Sequence, residues 1–179
     1  MPDTKEQFEA VIKLCREVFQ KKLQDYGASW RIMRPESITD QLFIKAKRIR
    51  NLEINKENKI DEGILPEFKG IVNYGVIGLI QLELGFSDVS DITPQQSLEL
   101  YDRYITDTKE LMYAKNHDYD EAWRLMRISS YTDLILTKLN RIKEIENNHG
   151  KVSFSEGIDT NYQDIINYAL FGLIKLTFN

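Results

Sequence analysis

Lys45 stands where an apolar residue is expected. Around it Ile38, Leu42, Ile49 and Leu52 recur at helical spacing, and Lys138 sits in the same way among Tyr131, Ile135, Ile142 and Ile145. An ammonium in the middle of an apolar stripe is costly unless it is paired. Arg48 and Arg141 follow one turn later, so each stripe carries two cations along one edge. Two chemistries fit this pattern. The lysines snorkel from a helix edge or bridge to an internal acid, or the cations hold an anionic ligand such as a phosphate.

Further polar residues recur in step with these cations. Asp25-Tyr26 and Asp118-Tyr119 each precede a tryptophan, Trp30 or Trp123, and an arginine, Arg31 or Arg124. One reading makes each aspartate a turn residue beside core aromatics. The other is a polar cleft with an aromatic wall suited to stacking a base, where Arg31, Arg34, Arg124 and Arg127 supply phosphate contacts. Asn73 and Asn167 interrupt apolar helices, so each must find a backbone group or a ligand heteroatom. A hard cation such as Mg2+ needs several converging carboxylates. Asp118, Glu156 and Asp164 are the candidates in the second half; in the first, Asp25 and Glu62 remain but glycine stands at position 70. His117 and His149 have no counterparts in the first half. The chain shows no glycine-rich phosphate loop and no paired His/Cys nucleophile.

The elements that position these residues repeat. Asp25, Tyr26, Trp30, Arg31, Met33 and Arg34 return 93 residues later as Asp118, Tyr119, Trp123, Arg124, Met126 and Arg127. The same offset relates Ser37, Asp40, Lys45, Arg48, Ile49 and Glu53 to Ser130, Asp133, Lys138, Arg141, Ile142 and Glu146. One inserted residue then shifts it to 94, pairing Asn73-Tyr74 with Asn167-Tyr168 and Gly78 with Gly172. Apolar periodicity predicts helices over 5–25, from a Ser37 or Thr39 cap to about 54, and over 65–84, with polar residues 55–63 as a loop. It predicts the same order over 95–117, 130–147 and 158–177. The third helix of each half is apolar nearly all round, as a buried central helix is. The expected fold is all-α: a tandem duplication of a three-helix unit, with repeats 5–85 and 94–179 packed in one unit as an internal pseudo-dimer.

Composition narrows the function classes. A net charge of −4, with acids and bases interspersed, argues against a general nucleic-acid-binding surface. A single cysteine, Cys15, excludes an internal disulfide and a cysteine zinc site. With no secretory segment evident, a reducing cytoplasm is the expected compartment. The apolar runs near 71–84 and 165–176 are too short and too interrupted to span a bilayer. The oligomeric state is not legible.

Lysine, two residues, Asp-Tyr and a later tryptophan, at Lys22, Asp25, Tyr26 and Trp30 and again at Lys115, Asp118, Tyr119 and Trp123, resemble the opening of the nucleotide modification associated domain. The Lys-x-x-Arg-Ile pieces at 45–49 and 138–142 look like it too, as do the Asn-Tyr helices with Glu62 and Glu156 upstream. The resemblance covers essentially the whole chain as two copies and implies nucleotide metabolism or DNA base modification. It extends loosely to the MazG-like all-α nucleotide pyrophosphohydrolases, which set Glu-x-x-Glu and Glu-x-x-Asp pairs around magnesium. Asp164-x-x-Asn167 is a partial match to those pairs, and Gly70 departs from them. The expected function is binding of a nucleotide or related phosphate in a polar cleft between helices, with pyrophosphohydrolase-like activity as the enzymatic version. The alternative is a non-catalytic interaction or scaffold protein. Asp164 opposite Gly70 further implies unequal halves, with the working site in the second.

Overall fold

A computed structural model describes residues 2–55, 60–153 and 156–178. In chain order the helices are α1 (Thr4–Tyr26), α2 (Pro35–Asn55), α3 (Ile60–Leu84), α4 (Pro94–Tyr119), α5 (Ile128–Asn147) and α6 (Ile158–Phe178). Short 3-10 turns at Ser29–Ile32 and Ala122–Leu125 join α1 to α2 and α4 to α5. Among the described residues there is no strand, and no helix is long and apolar enough to cross a membrane.

Local chemistry sets the helix ends. Asp3 and Glu6 form a reciprocal capping box on α1, and Thr93 and Gln96 do the same on α4, where Pro94 takes the first helical position. Gly27 ends α1 at φ +65°, a conformation open to glycine at no steric cost. At the matching bend of the second half, Asp120 and Glu121 adopt φ 48° and 55° without a glycine.

Two boundaries differ from the sequence expectation. The second helix starts at Pro35, not after a Ser37 or Thr39 cap. Proline's fixed φ suits a helix's first turn, and Thr39 is buried, donating to the Glu146 carboxylate and hydrogen-bonded to the Tyr162 hydroxyl at 2.7 Å. The third helix starts at Ile60, with Pro66 inside it, so residues 60–63 are helical instead of loop. Residues 56–59 of that expected loop, and the side chain of Glu62, lie outside the described part.

The halves meet through matched contacts. α3 packs on α6 and α2 on α5, and α1 crosses to α6 as α4 crosses to α3. A Cβ on Gly78 would stand 2.9 Å from the Tyr162 ring, and a Cβ on Gly172 would stand 3.0 Å from the ring of Phe68, the counterpart of Tyr162. Across α2 and α5, Thr39 donates to Glu146 at 2.9 Å while Thr132 donates to Glu53 at 3.2 Å. Each contact is present with its partners exchanged, the signature of an isologous interface. Phe68, Ile71, Tyr162, Ile165 and Ile166 are fully buried, and each such side chain contributes about 1.5–3 kcal/mol by leaving water.

Candidate functional site

In the second half, α4, the Ala122–Leu125 turn, α5 and α6 enclose a cleft of about 600 Å3. Its wall includes Lys115, Asp118, Lys138, Glu156, Asp164 and Asn167, with Met112, Trp123, Tyr168 and Phe171 on the apolar side. The helical period explains the convergence. Lys138 points inward from the apolar stripe of α5, and Asp164 and Asn167 lie one turn apart on α6. The carboxylate of Asp164 bridges two ammoniums: Lys115 Nζ is 2.9 Å from one oxygen and Lys138 Nζ 2.9 Å from the other. Burial pulls the Lys115 pKa down, but the hydrogen bond and charge of Asp164, with Glu156 and Tyr168, outweigh it and leave the pKa raised. The wall carries two lysines against three carboxylates, a formal balance of −1.

Among the described residues, buried polar atoms behind this wall have no partner, the Thr108 hydroxyl with them. Asn167 donates from Nδ2 to the Thr108 carbonyl at 3.2 Å, and its Oδ1 accepts nothing. The indole Nε1 of Trp123 is likewise unsatisfied. Trp123 does not offer a face for stacking a base. Phe171 lies against its ring at 4.4 Å and 6°, and the Arg124 guanidinium lies over it at 4.4 Å. Tyr119 is the cleft aromatic that stands free, at 71% exposed.

Of the expected site residues, Asp118, Trp123, Lys138, Glu156, Asp164 and Asn167 share this cleft. Arg124 does not; it reaches back to α1 and donates to Gln7 at 2.7 Å and Thr4 at 3.0 Å. Arg141 lines a neighbouring cavity of about 680 Å3 that meets the cleft at Glu156. Among the described residues no three His, Cys, Asp or Glu side chains stand together as a metal-ligand set. Asp164 is taken by its lysines, and among the described residues Asp118 and Glu156 are the acids of the cleft without an ion pair.

The first half is arranged differently at the same positions. Lys45 reaches Glu67 at 3.7 Å and lies over the Tyr74 ring, and Arg48 bonds the same carboxylate. The Lys45 chain occupies the space beside Gly70, where a Cβ would be 2.9 Å from its methylenes. Asn73 is fully used, donating to the Cys15 carbonyl at 3.0 Å and accepting from the Tyr101 hydroxyl at 2.7 Å. Arg31, with its side chain 4% exposed, pairs with Asp91 at 2.8 Å and donates to Gln81 and the Gly85 carbonyl, tying down the segment that joins the halves. Trp30 is buried beside Phe19, and Asp25 is exposed at the end of α1.

Lys115 and Tyr168 belong to the cleft as well, and both sit in the repeated motifs. Their recurrence at matched offsets was the available signal. Phe171 and Met112 carried none beyond apolar periodicity.

No curated protein and no solved structure matches the chain. The family described as nucleotide modification associated domain 1 matches residues 22–82 and again residues 115–176. Each matched stretch opens on the lysine of the Lys-x-x-Asp-Tyr motif and closes near the end of the third helix of its half. Nothing in that match extends to the MazG-like pyrophosphohydrolases. The two segments together take in most of the chain, which belongs to the nucleotide modification associated domain 1 family as a tandem pair.

Proposed function

We propose that the second-half cleft binds a nucleotide or a related phosphorylated small molecule, in nucleotide metabolism or the modification of DNA bases. The observation that carries this reading is the pair Lys115 and Lys138, drawn together by Asp164 in a cleft large enough for a mononucleotide. Each ammonium has three donors, and one contact to Asp164 leaves donors for phosphate oxygens. Asp118 and Glu156 would repel a bare polyphosphate. The ligand is therefore taken as its Mg2+ complex, since magnesium commonly joins one or two carboxylates to substrate phosphates. Hydrolysis of the bound nucleotide is a separate readout, and the proposed compartment is the cytoplasm.

The scaffold reading draws on the first half, where Lys45 and Arg48 are both satisfied by Glu67. That half is assigned a structural role. The test is a thermal-shift and calorimetric titration with nucleoside mono-, di- and triphosphates, with and without Mg2+. Lys138→Met should abolish the response, and Lys45→Met should leave it intact. A wild-type protein that responds to no nucleotide under either condition sinks the proposal.

A further inference from the structure

The two halves serve as each other's comparison, and at one position they differ in a way that points to a ligand. Asn73 and Asn167 occupy equivalent places on α3 and α6. Each donates its Nδ2 to a backbone carbonyl at equivalent places in the neighbouring helix, Cys15 on α1 or Thr108 on α4. Asn73 then accepts from the hydroxyl of Tyr101, which reaches across from α4 of the other half. The residue equivalent to Tyr101 is Phe8 on α1. Phe8 is fully buried and packs edge-on to Trp123 and Phe171 at 5.9 Å, both of them cleft residues. It has no hydroxyl, and Asn167 Oδ1 is left without a donor although the residue is 6% exposed.

A buried carbonyl oxygen with no partner is rare, because it has lost its hydrogen bonds to water and gained nothing in return. One added oxygen on Phe8 would close the gap, as Tyr101 closes it for Asn73. Asn167 lines the cleft that the proposed function assigns to a nucleotide, with its open acceptor just behind the surface, and this inference rests on that reading. We infer that Asn167 Oδ1 is the base-recognition point of the cleft, accepting a hydrogen bond from a neutral N–H of the bound nucleobase. The chemistry fits the surroundings. Met112, Trp123 and Phe171 form the buried apolar floor of the cleft, and Tyr119 is its exposed ring for a base. Lys115 and Lys138 stand on the same wall for the phosphate. A neutral donor satisfies the amide oxygen without placing a charge among aromatic rings.

Phe8→Tyr tests this directly in the full-length chain. The new hydroxyl takes the place that Tyr101 holds beside Asn73 and satisfies Asn167 Oδ1 from within. The variant should melt at a higher temperature than wild type. Its affinity for the nucleotide that binds wild type most tightly should fall about tenfold, the weight of one buried hydrogen bond. If Phe8→Tyr does not fold, the wild type is titrated with that nucleotide and with its analogue methylated at every base nitrogen that carries hydrogen. The analogue should bind about tenfold more weakly. Equal affinity in whichever comparison is made overturns the inference and leaves the proposed function standing; the acceptor then holds only a buried water. Absence of any nucleotide binding to wild type removes both.

Discussion

Replacing Asp164 with asparagine keeps the side chain's shape and removes the charge that holds Lys115 and Lys138 together. Both N–O distances are 2.9 Å, and the Asp164 and Lys138 side chains are only 10% and 14% exposed. At an effective dielectric near 20, opposite charges about 3 Å apart attract by roughly 5–6 kcal/mol, most of which offsets the desolvation of the ions. The Lys115 side chain is half exposed, so its share is largely screened. The Lys138 share is not. In Asp164→Asn that ammonium keeps its burial, loses its counter-ion and faces a second ammonium. Breaking one side of a buried pair costs about 3–5 kcal/mol. For a chain of this length the melting temperature should fall by about 10 °C. Urea denaturation followed by circular dichroism reads the change as a lower midpoint at unchanged slope. Lys138→Met should cost less, because Asp164 keeps Lys115. A loss below about 1 kcal/mol in Asp164→Asn would mean that the cluster is as screened as a surface bridge, and the electrostatic argument for the cleft would fail.

The seam between the halves gives a prediction of sign. Gly172→Ala and Gly78→Ala place a Cβ about 3.0 Å and 2.9 Å from the rings of Phe68 and Tyr162. Overpacking of about 1–3 kcal/mol should outweigh the helix-propensity gain of about 1 kcal/mol, so both lower the urea midpoint. Gly70→Ala meets only the flexible Lys45 chain and should raise it. Glu53 and Glu146 are held above the ordinary glutamate range, first by burial and then by neighbouring acids, Asp133 for the one and Glu36 and Asp40 for the other. Thr132 and Thr39, with Arg50 and Lys143, oppose that rise. A raised carboxyl pKa contributes stability below the unfolded-state value and loses it as pH climbs through the folded one. The Glu53→Gln, Glu146→Gln double variant should therefore be more stable than wild type at neutral pH and flatter between acid and neutral. An advantage of the double variant over wild type that does not grow as pH rises from acid to neutral would refute this.

The repeat, the all-α class and the buried third helices were legible because each is written in side-chain periodicity, which needs no knowledge of distant contacts. The start of α2 was less so. Thr39 has the chemistry of a cap, and only the approach of Glu146 and Tyr162 from the other half turns it into a core residue. The same limit applied to the site. Lys45 and Lys138 look alike in sequence, and both bridging and ligand-holding fit the pattern. Their environments separate only when Glu67 comes to one and Asp164 to the other. Trp123 has the composition of a stacking wall, but Phe171 and Arg124 cover its ring. No spacing rule foretells which aromatic keeps a free face.

The differences between the halves share a direction. In the first half Lys45 folds over Gly70 toward Glu67, and Asn73 is closed by Tyr101. In the second, Asp164 draws two lysines toward a cleft, and Phe8 leaves Asn167 open. The first-half changes complete polar groups within the protein, whereas in the second Asn167 Oδ1 and Trp123 Nε1 stand without a partner beside the cavity. Independent drift would scatter such changes over both halves. Their alignment supports the proposal that one copy carries the fold while the other holds the ligand site. The isologous seam, with Gly78 under Tyr162 and Gly172 under Phe68, couples the two. The stability stored in the closed half can then offset the cost of the open one, since buried groups left unpaired are tolerated only where the surrounding packing holds them in place.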